Sequence, residues 1–79
     1  MHDIVKIYTS IDCKPCDMVK NFFSKKGIKF IEHNISLDQD SLEFLLNKGL
    51  MTTPVTFVGD EFVVGFDTTK LELMLNNIN

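Results

Sequence analysis

What this sequence lacks narrows its chemistry before any motif is considered. It has no basic surplus: eight lysine-class cations stand against eleven acids, for a net charge of -3. A nucleic-acid binder normally concentrates cations on one face, so that class of partner is set aside. It has no apolar run approaching the roughly 20 residues that cross a bilayer as a helix, and a strand-like pattern begins almost directly after Met1-His2-Asp3. The expectation is a cytoplasmic chain with no export signal and no membrane segment. Only two cysteines are present, too few for a disulfide framework of the secreted kind. There is no tryptophan, repeat, linker or low-complexity segment, and 79 residues leave room for one domain, residues 1–79, of a size at which a single core only just suffices.

What is present is an ordinary globular composition, 44% hydrophobic with seven Phe and 24% charged, too apolar for disorder. The charge is uneven. Residues 1–37 carry six lysines against four acids, and residues 38–79 carry two lysines against seven acids. The plainer reading of the basic first helix region is a solvated face; a docking patch for an acidic partner is the alternative.

Ile4, Val5, Ile7 and Tyr8 form a β-branched and aromatic run ending at Thr9-Ser10, which predicts a buried strand. From Lys14 to Lys26, Met18, Val19, Phe22 and Phe23 recur at helical spacing, and Gly27 stands where a C-terminal helix cap belongs. Ile28, Phe30, Ile31 and then Asn34-Ile35 predict a second strand, and one helix as the crossover implies a parallel pair. A second helix is expected over Asp38 to Lys48, with Leu42, Leu45 and Leu46 as its stripe, Phe44 beside it, Gly49 as its stop and Ser36 or Asp38 as its cap. Pro54 to Val58 and Glu61 to Val64 read as a hairpin turning on Gly59-Asp60. Thr68 to Asn77, with Leu71, Leu73, Met74, Leu75 and the adjoining Ile78 apolar, predicts a last helix capped by Asp67 or Thr68. The order is β-α-β-α-β-β-α, an α/β fold.

The chemistry sits in Cys13-Lys14-Pro15-Cys16. Cys13 lies just past the first strand and Cys16 in the first turn of the following helix, so the sulfurs share a face within bonding reach. Unpaired N–H groups and the helix dipole favour an anion there, which lowers the thiol pKa. Cys13 is therefore the expected nucleophile and Cys16 the less exposed group that resolves the mixed disulfide. Pro15 fits the opening turn, and Lys14 adds a positive charge beside the thiolate, whereas Asp12 opposes it. Zinc needs two further ligands, and only His2 and His33 are candidates; neither is in a ligand-spaced cluster, so no metal is expected. His33 reads as a partly exposed strand residue.

With Tyr8-Thr9-Ser10-Ile11-Asp12-Cys13-Lys14-Pro15-Cys16, then Thr52-Thr53-Pro54-Val55, then Val64-Gly65-Phe66-Asp67, the sequence resembles the glutaredoxin-like branch of the thioredoxin-fold redoxins over essentially its whole length. The resemblance implies a four-stranded mixed sheet of order 2-1-3-4 flanked by three helices. It also implies a cis peptide before Pro54, with the Thr53 backbone beside the cysteine pair, where it bonds a substrate chain like an added strand. Lys14, Pro15, Thr53, Pro54, Gly65, Phe66 and Asp67 are then the expected substrate-contacting residues.

The implied activity is reduction of protein or glutathione mixed disulfides by a dithiol oxidoreductase with no bound cofactor. Glutathione is the first reductant the resemblance suggests. Ser10 and Met51, however, stand where glutaredoxins carry glutathione-binding cations, Val64 replaces the first glycine of a Gly-Gly element, and only Thr53, Gly65 and Asp67 match. Lys14 or Lys48 is the alternative source of a cation to hold a glutathione carboxylate. Gly65-Phe66 is more similar to the NrdH-type redoxins, which are reduced by thioredoxin reductase and supply electrons to ribonucleotide reductase, although Asp67-Thr68 departs from their Arg-Pro. A clostridial-type glutaredoxin-like subgroup ending in Gly-Phe-Asp resembles the chain best. A binding module holding zinc or an iron-sulfur cluster is the third reading.

Overall fold

The structure is a computed structural model that describes residues 4–76. His2, Asn77 and Ile78, invoked above as a metal-ligand candidate, a helix end and an adjoining apolar residue, lie outside them. Seven elements follow in the expected order: β1 (Val5–Thr9), α1 (Lys14–Lys25), β2 (Phe30–Asn34), α2 (Gln39–Asn47), β3 (Val55–Val58), β4 (Glu61–Val64) and α3 (Thr68–Asn76). The sheet runs β2-β1-β3-β4. β1 pairs in parallel with β2 and antiparallel with β3, which pairs antiparallel with β4, giving the mixed four-stranded sheet of the thioredoxin fold.

The period-2 alternation of the strands divides the core into two faces. On one face Val5, Ile7, Val58 and Val63 of the sheet pack against Val19 and Phe23 of α1 and Leu71 and Met74 of α3. On the other, Tyr8, Val55 and Phe57 pack against Leu45 of α2. Tyr8 is stacked between His33 and Phe44 and meets Phe57 edge-on. Burial first, and then the negative charge of Asp38, push its phenol upward from the ordinary range, so it stays neutral.

The second helix departs from its predicted stripe. Leu45 is buried together with Ser41, whereas Leu46 is 46% exposed. Residues 41 and 45 are one turn apart and share the inward line, and Leu46 is a further 100° round the helix. Burial of the Ser41 hydroxyl is satisfied by donation to Asp38 Oδ2 at 2.6 Å. Ser36 is not the cap; its Oγ accepts the Ile11 N–H at 3.0 Å and ties this loop to the segment before Cys13. The strand boundaries also tighten, since Ile28 packs against the core without joining β2.

A polar contact bridges α1 and the sheet. Thr9, nearly fully buried, donates from Oγ1 to Glu32 Oε2 at 2.7 Å, and Lys20 Nζ donates to the same oxygen at 3.1 Å. The Thr9 hydroxyl, more than the Lys20 bond and charge, holds the Glu32 carboxyl below the usual glutamate range, against the opposing effect of burial. A carboxyl with a depressed folded pKa contributes stability that is present above the unfolded value and is lost as pH falls through the folded one. The urea midpoint should therefore fall on acidification below the ordinary glutamate range, and Glu32→Gln should flatten that acid limb. An unchanged limb in Glu32→Gln would show that other carboxyls carry it.

Candidate active site

Cys13 is the N-cap of α1, with extended backbone angles, and its Sγ accepts the Cys16 N–H at 3.1 Å. One orphan donor of the helix end is thus spent on the sulfur, as the sequence position implied. Pro15 occupies the opening turn, where its missing N–H leaves no bond unmade. Asp12 adopts a left-handed φ of 57°, which aspartate tolerates better than most residues and which turns the chain from β1 into the helix. Cys13 and Cys16 form a disulfide with Cα atoms 5.2 Å apart; Cys13 is half-buried and Cys16 is buried.

Across from the pair, the Thr53-Pro54 peptide is cis and Pro54 is buried. The Thr53 hydroxyl reaches Cys13 Sγ at 3.8 Å, so the Thr53 position is beside the pair. The Gly65 N–H donates to the Pro54 carbonyl at 2.8 Å, and Gly65 has a φ of 78°, a conformation glycine takes at no steric cost. That bond brings the loop after β4 to the cis-proline segment. Phe66, edge-on to Phe22, lines with Met18, Asn21 and Lys25 an open hollow of about 300 Å³. Asp67 Oδ1 accepts the Lys70 N–H and so is the cap of α3. Lys14 is exposed, and Lys48 lies over the Phe44 ring at 5.4 Å.

The chain is similar to known proteins in sequence and in fold. The family model described as Glutaredoxin matches residues 5–63. The chain belongs to the glutaredoxin family. The glutaredoxin-like protein NrdH of Lactococcus lactis subsp. cremoris is 31% identical over 68 residues, covering 86% of this chain and 94% of that protein. A glutaredoxin-like 8.6 kDa protein in the rubredoxin operon of Clostridium pasteurianum is 23% identical over 73 residues, 91% of this chain and 97% of its own length. Among solved structures, the glutaredoxin-like NrdH-redoxin of Escherichia coli superposes with a TM-score of 0.82 at 27% identity, over 89% of this chain and 92% of that one. With the Cys13–Cys16 pair in place, this glutaredoxin-family chain is a thiol-disulfide oxidoreductase.

Among the described residues no group of three or more His, Cys, Asp or Glu is placed to hold a metal ion. His33, half-buried in β2, faces Tyr8. No helix of the described residues is long and apolar enough to cross a membrane. Sequence reasoning missed Ser10 as a contact: treated above only as a place where a cation is lacking, it pairs its hydroxyl with that of Thr53 at 2.6 Å. The signal available was a pair of hydroxyl residues each adjoining a recognised motif, one three residues before Cys13 and one directly before Pro54.

Proposed function

We propose that the chain reduces disulfides of proteins in the manner of an NrdH-type redoxin, acting as one domain over residues 1–79, with a thioredoxin reductase as its reductant and ribonucleotide reductase among its acceptors. The observation that carries this reading is the chemistry at the two positions where a glutathione carboxylate would be held. The Ser10 hydroxyl is engaged by Thr53, and Met51, 87% exposed, presents a thioether. Neither supplies a cation, and Asp67 is engaged as a helix cap. Ile11, Met18 and Phe66 add exposed apolar surface close in sequence to the site motifs, which suits an extended protein segment better than a small anionic thiol. The 31% identity to an NrdH protein and the likeness to the Escherichia coli NrdH-redoxin, whose structure was described as the basis of a thioredoxin-like activity profile, support the same choice.

In the proposed cycle, the Cys13 thiolate bonds to one sulfur of the substrate disulfide. The substrate S–S bond breaks and its other sulfur leaves as a thiolate that takes up a proton. Cys16 gives up its proton and its sulfur bonds to Cys13, expelling the second substrate sulfur as a thiol. Two electrons and two protons pass to the substrate, and the Cys13–Cys16 disulfide remains for the reductase dithiol to reduce. Thr53 offers its backbone to the substrate chain beside the cis-proline, and Lys14, Pro15, Gly65 and Phe66 border the docked segment. A cytoplasmic location suits a pair that must be returned to the dithiol state after every turnover.

Glutathione as reductant is the second reading, favoured by the retained Thr53-Pro54 and Gly65 framework. The two separate when oxidised protein is offered NADPH with thioredoxin reductase in one cell, and glutathione with glutathione reductase and NADPH in another. The proposal expects NADPH consumption linked to substrate reduction in the first and much slower turnover in the second. The reverse order would replace thioredoxin reductase with glutathione.

A further inference from the structure

The hydroxyls of Ser10 and Thr53 form a chain of contacts that ends on the Cys13 sulfur. Ser10 Oγ and Thr53 Oγ1 are 2.6 Å apart, and Thr53 Oγ1 is 3.8 Å from Cys13 Sγ with the hydroxyl as donor. A hydroxyl has one proton to give. With the Thr53 proton directed at sulfur, Thr53 receives its own bond from Ser10. Both residues are half-buried, at positions 10 and 53, brought together from the end of β1 and from the cis-proline segment. We propose that Ser10 is a positioning residue that, through Thr53, stabilises the Cys13 thiolate and so sets the pH range and the potential at which the pair works.

The physical case is differential. A disulfide sulfur is a weak acceptor, so the Thr53 contact adds little to the oxidised form; a thiolate at the same place is an anion, and hydrogen bonds to an ion are shorter and about twice as strong. A bond that favours only the charged form lowers the pKa of the group and stabilises the reduced protein, which makes the pair more oxidising. Ser10 sharpens the effect by fixing the Thr53 rotor and polarising its O–H. The Cys16 N–H supplies the other bond to this sulfur. Charged residues on the segments that meet here are Asp12, Lys14 and Asp17 on the loop and helix of the pair, Glu32 and Lys20 joined to Thr9 beside Ser10, Asp38 beyond the loop that Ser36 ties to Ile11, and Asp67 on the loop before α3; residues 51–54 carry none. All stay in place in the variants below, so a shift in thiolate fraction traces to the hydroxyls.

The inference rests on Cys13 being the attacking sulfur, and the test reports on that separately. Reduced protein is alkylated with iodoacetamide across a pH series and the label is mapped by mass spectrometry, alongside redox equilibration against a thiol buffer. Wild type should label at Cys13. Ser10→Ala should lower the thiolate-to-thiol ratio at a fixed pH about threefold and Thr53→Val about tenfold, with the potential moving toward more reducing values and the unfolding midpoint nearly unchanged. Thr53→Ser, which keeps the hydroxyl, should restore most of the loss. In the Thr53→Val background, Ser10→Ala should add nothing, because its route to the sulfur is gone. Unaltered Cys13 profiles in Ser10→Ala, or a Ser10→Ala effect of equal size with Thr53→Val present, would overturn the proposal. Label appearing first at Cys16 would instead overturn the assignment of the nucleophile.

Discussion

Cys16→Ser is expected to convert a turning-over protein into a trap. With Cys13 alone, attack on a substrate disulfide still forms a mixed disulfide, and no second thiol one turn along the helix can release it. The geometry favours this outcome strongly. Cys13 is the more exposed of the two and caps α1 with its sulfur on the Cys16 N–H, whereas Cys16 is only 1% exposed and has to be met by a group already bound to Cys13. The backbone N–H on which Cys13 relies belongs to residue 16 whatever its side chain, so serine leaves the nucleophile's environment intact. Incubation with a protein disulfide should yield a covalent complex, resolved on a non-reducing gel and dispersed by dithiothreitol, while steady dithiol turnover falls by about a thousandfold or more, the scale of losing an essential nucleophile partner. Cys13→Ser should give neither complex nor turnover. A complex that forms through Cys16 in Cys13→Ser and not through Cys13 in Cys16→Ser would exchange the two roles.

The largest effect on stability is expected from Phe23→Ala. Phe23 has no exposed surface, meets Phe22 edge-on with ring centroids 5.4 Å apart, and packs within the cluster that joins α1, α3 and one face of the sheet. Emptying such a site removes the transfer free energy of the ring and leaves a cavity, a loss of about 3–5 kcal/mol. A core of this size seldom holds much more than that in reserve. The variant should be substantially unfolded at 37 °C or lower its urea midpoint by most of the wild-type value, followed by far-ultraviolet circular dichroism. A loss below about 1 kcal/mol would mean that α1 is anchored mainly from elsewhere.

The elements were legible because local signals agreed with the global fold. Val5 to Tyr8 has the apolar density of a central strand, Gly27 ends α1, and Gly59-Asp60 turns the hairpin. The cis-proline and strand order came from the family resemblance that the three motifs carry. Three features were not legible. The inward line of α2 follows from the placement of Phe44 against Tyr8 and of Ser41 on Asp38, which a leucine stripe does not encode. The Ser10–Thr53 contact joins residues 43 apart, and its existence depends on how two loops close over the end of β1, where no periodicity operates. The Thr9–Glu32–Lys20 contact is of the same kind: each residue is unremarkable alone, and only the parallel register of β1 and β2 with α1 above them brings the three together.

The central claim, that the Cys13–Cys16 pair is a reversible two-electron couple, is tested most directly by equilibrating the protein against mixtures of reduced and oxidised dithiothreitol and counting alkylatable thiols by mass. The account predicts one transition, with two thiols appearing together and none remaining at the oxidising end. Thiols that stay free throughout, or that are masked by a stoichiometric metal in protein purified without oxidant, would contradict it.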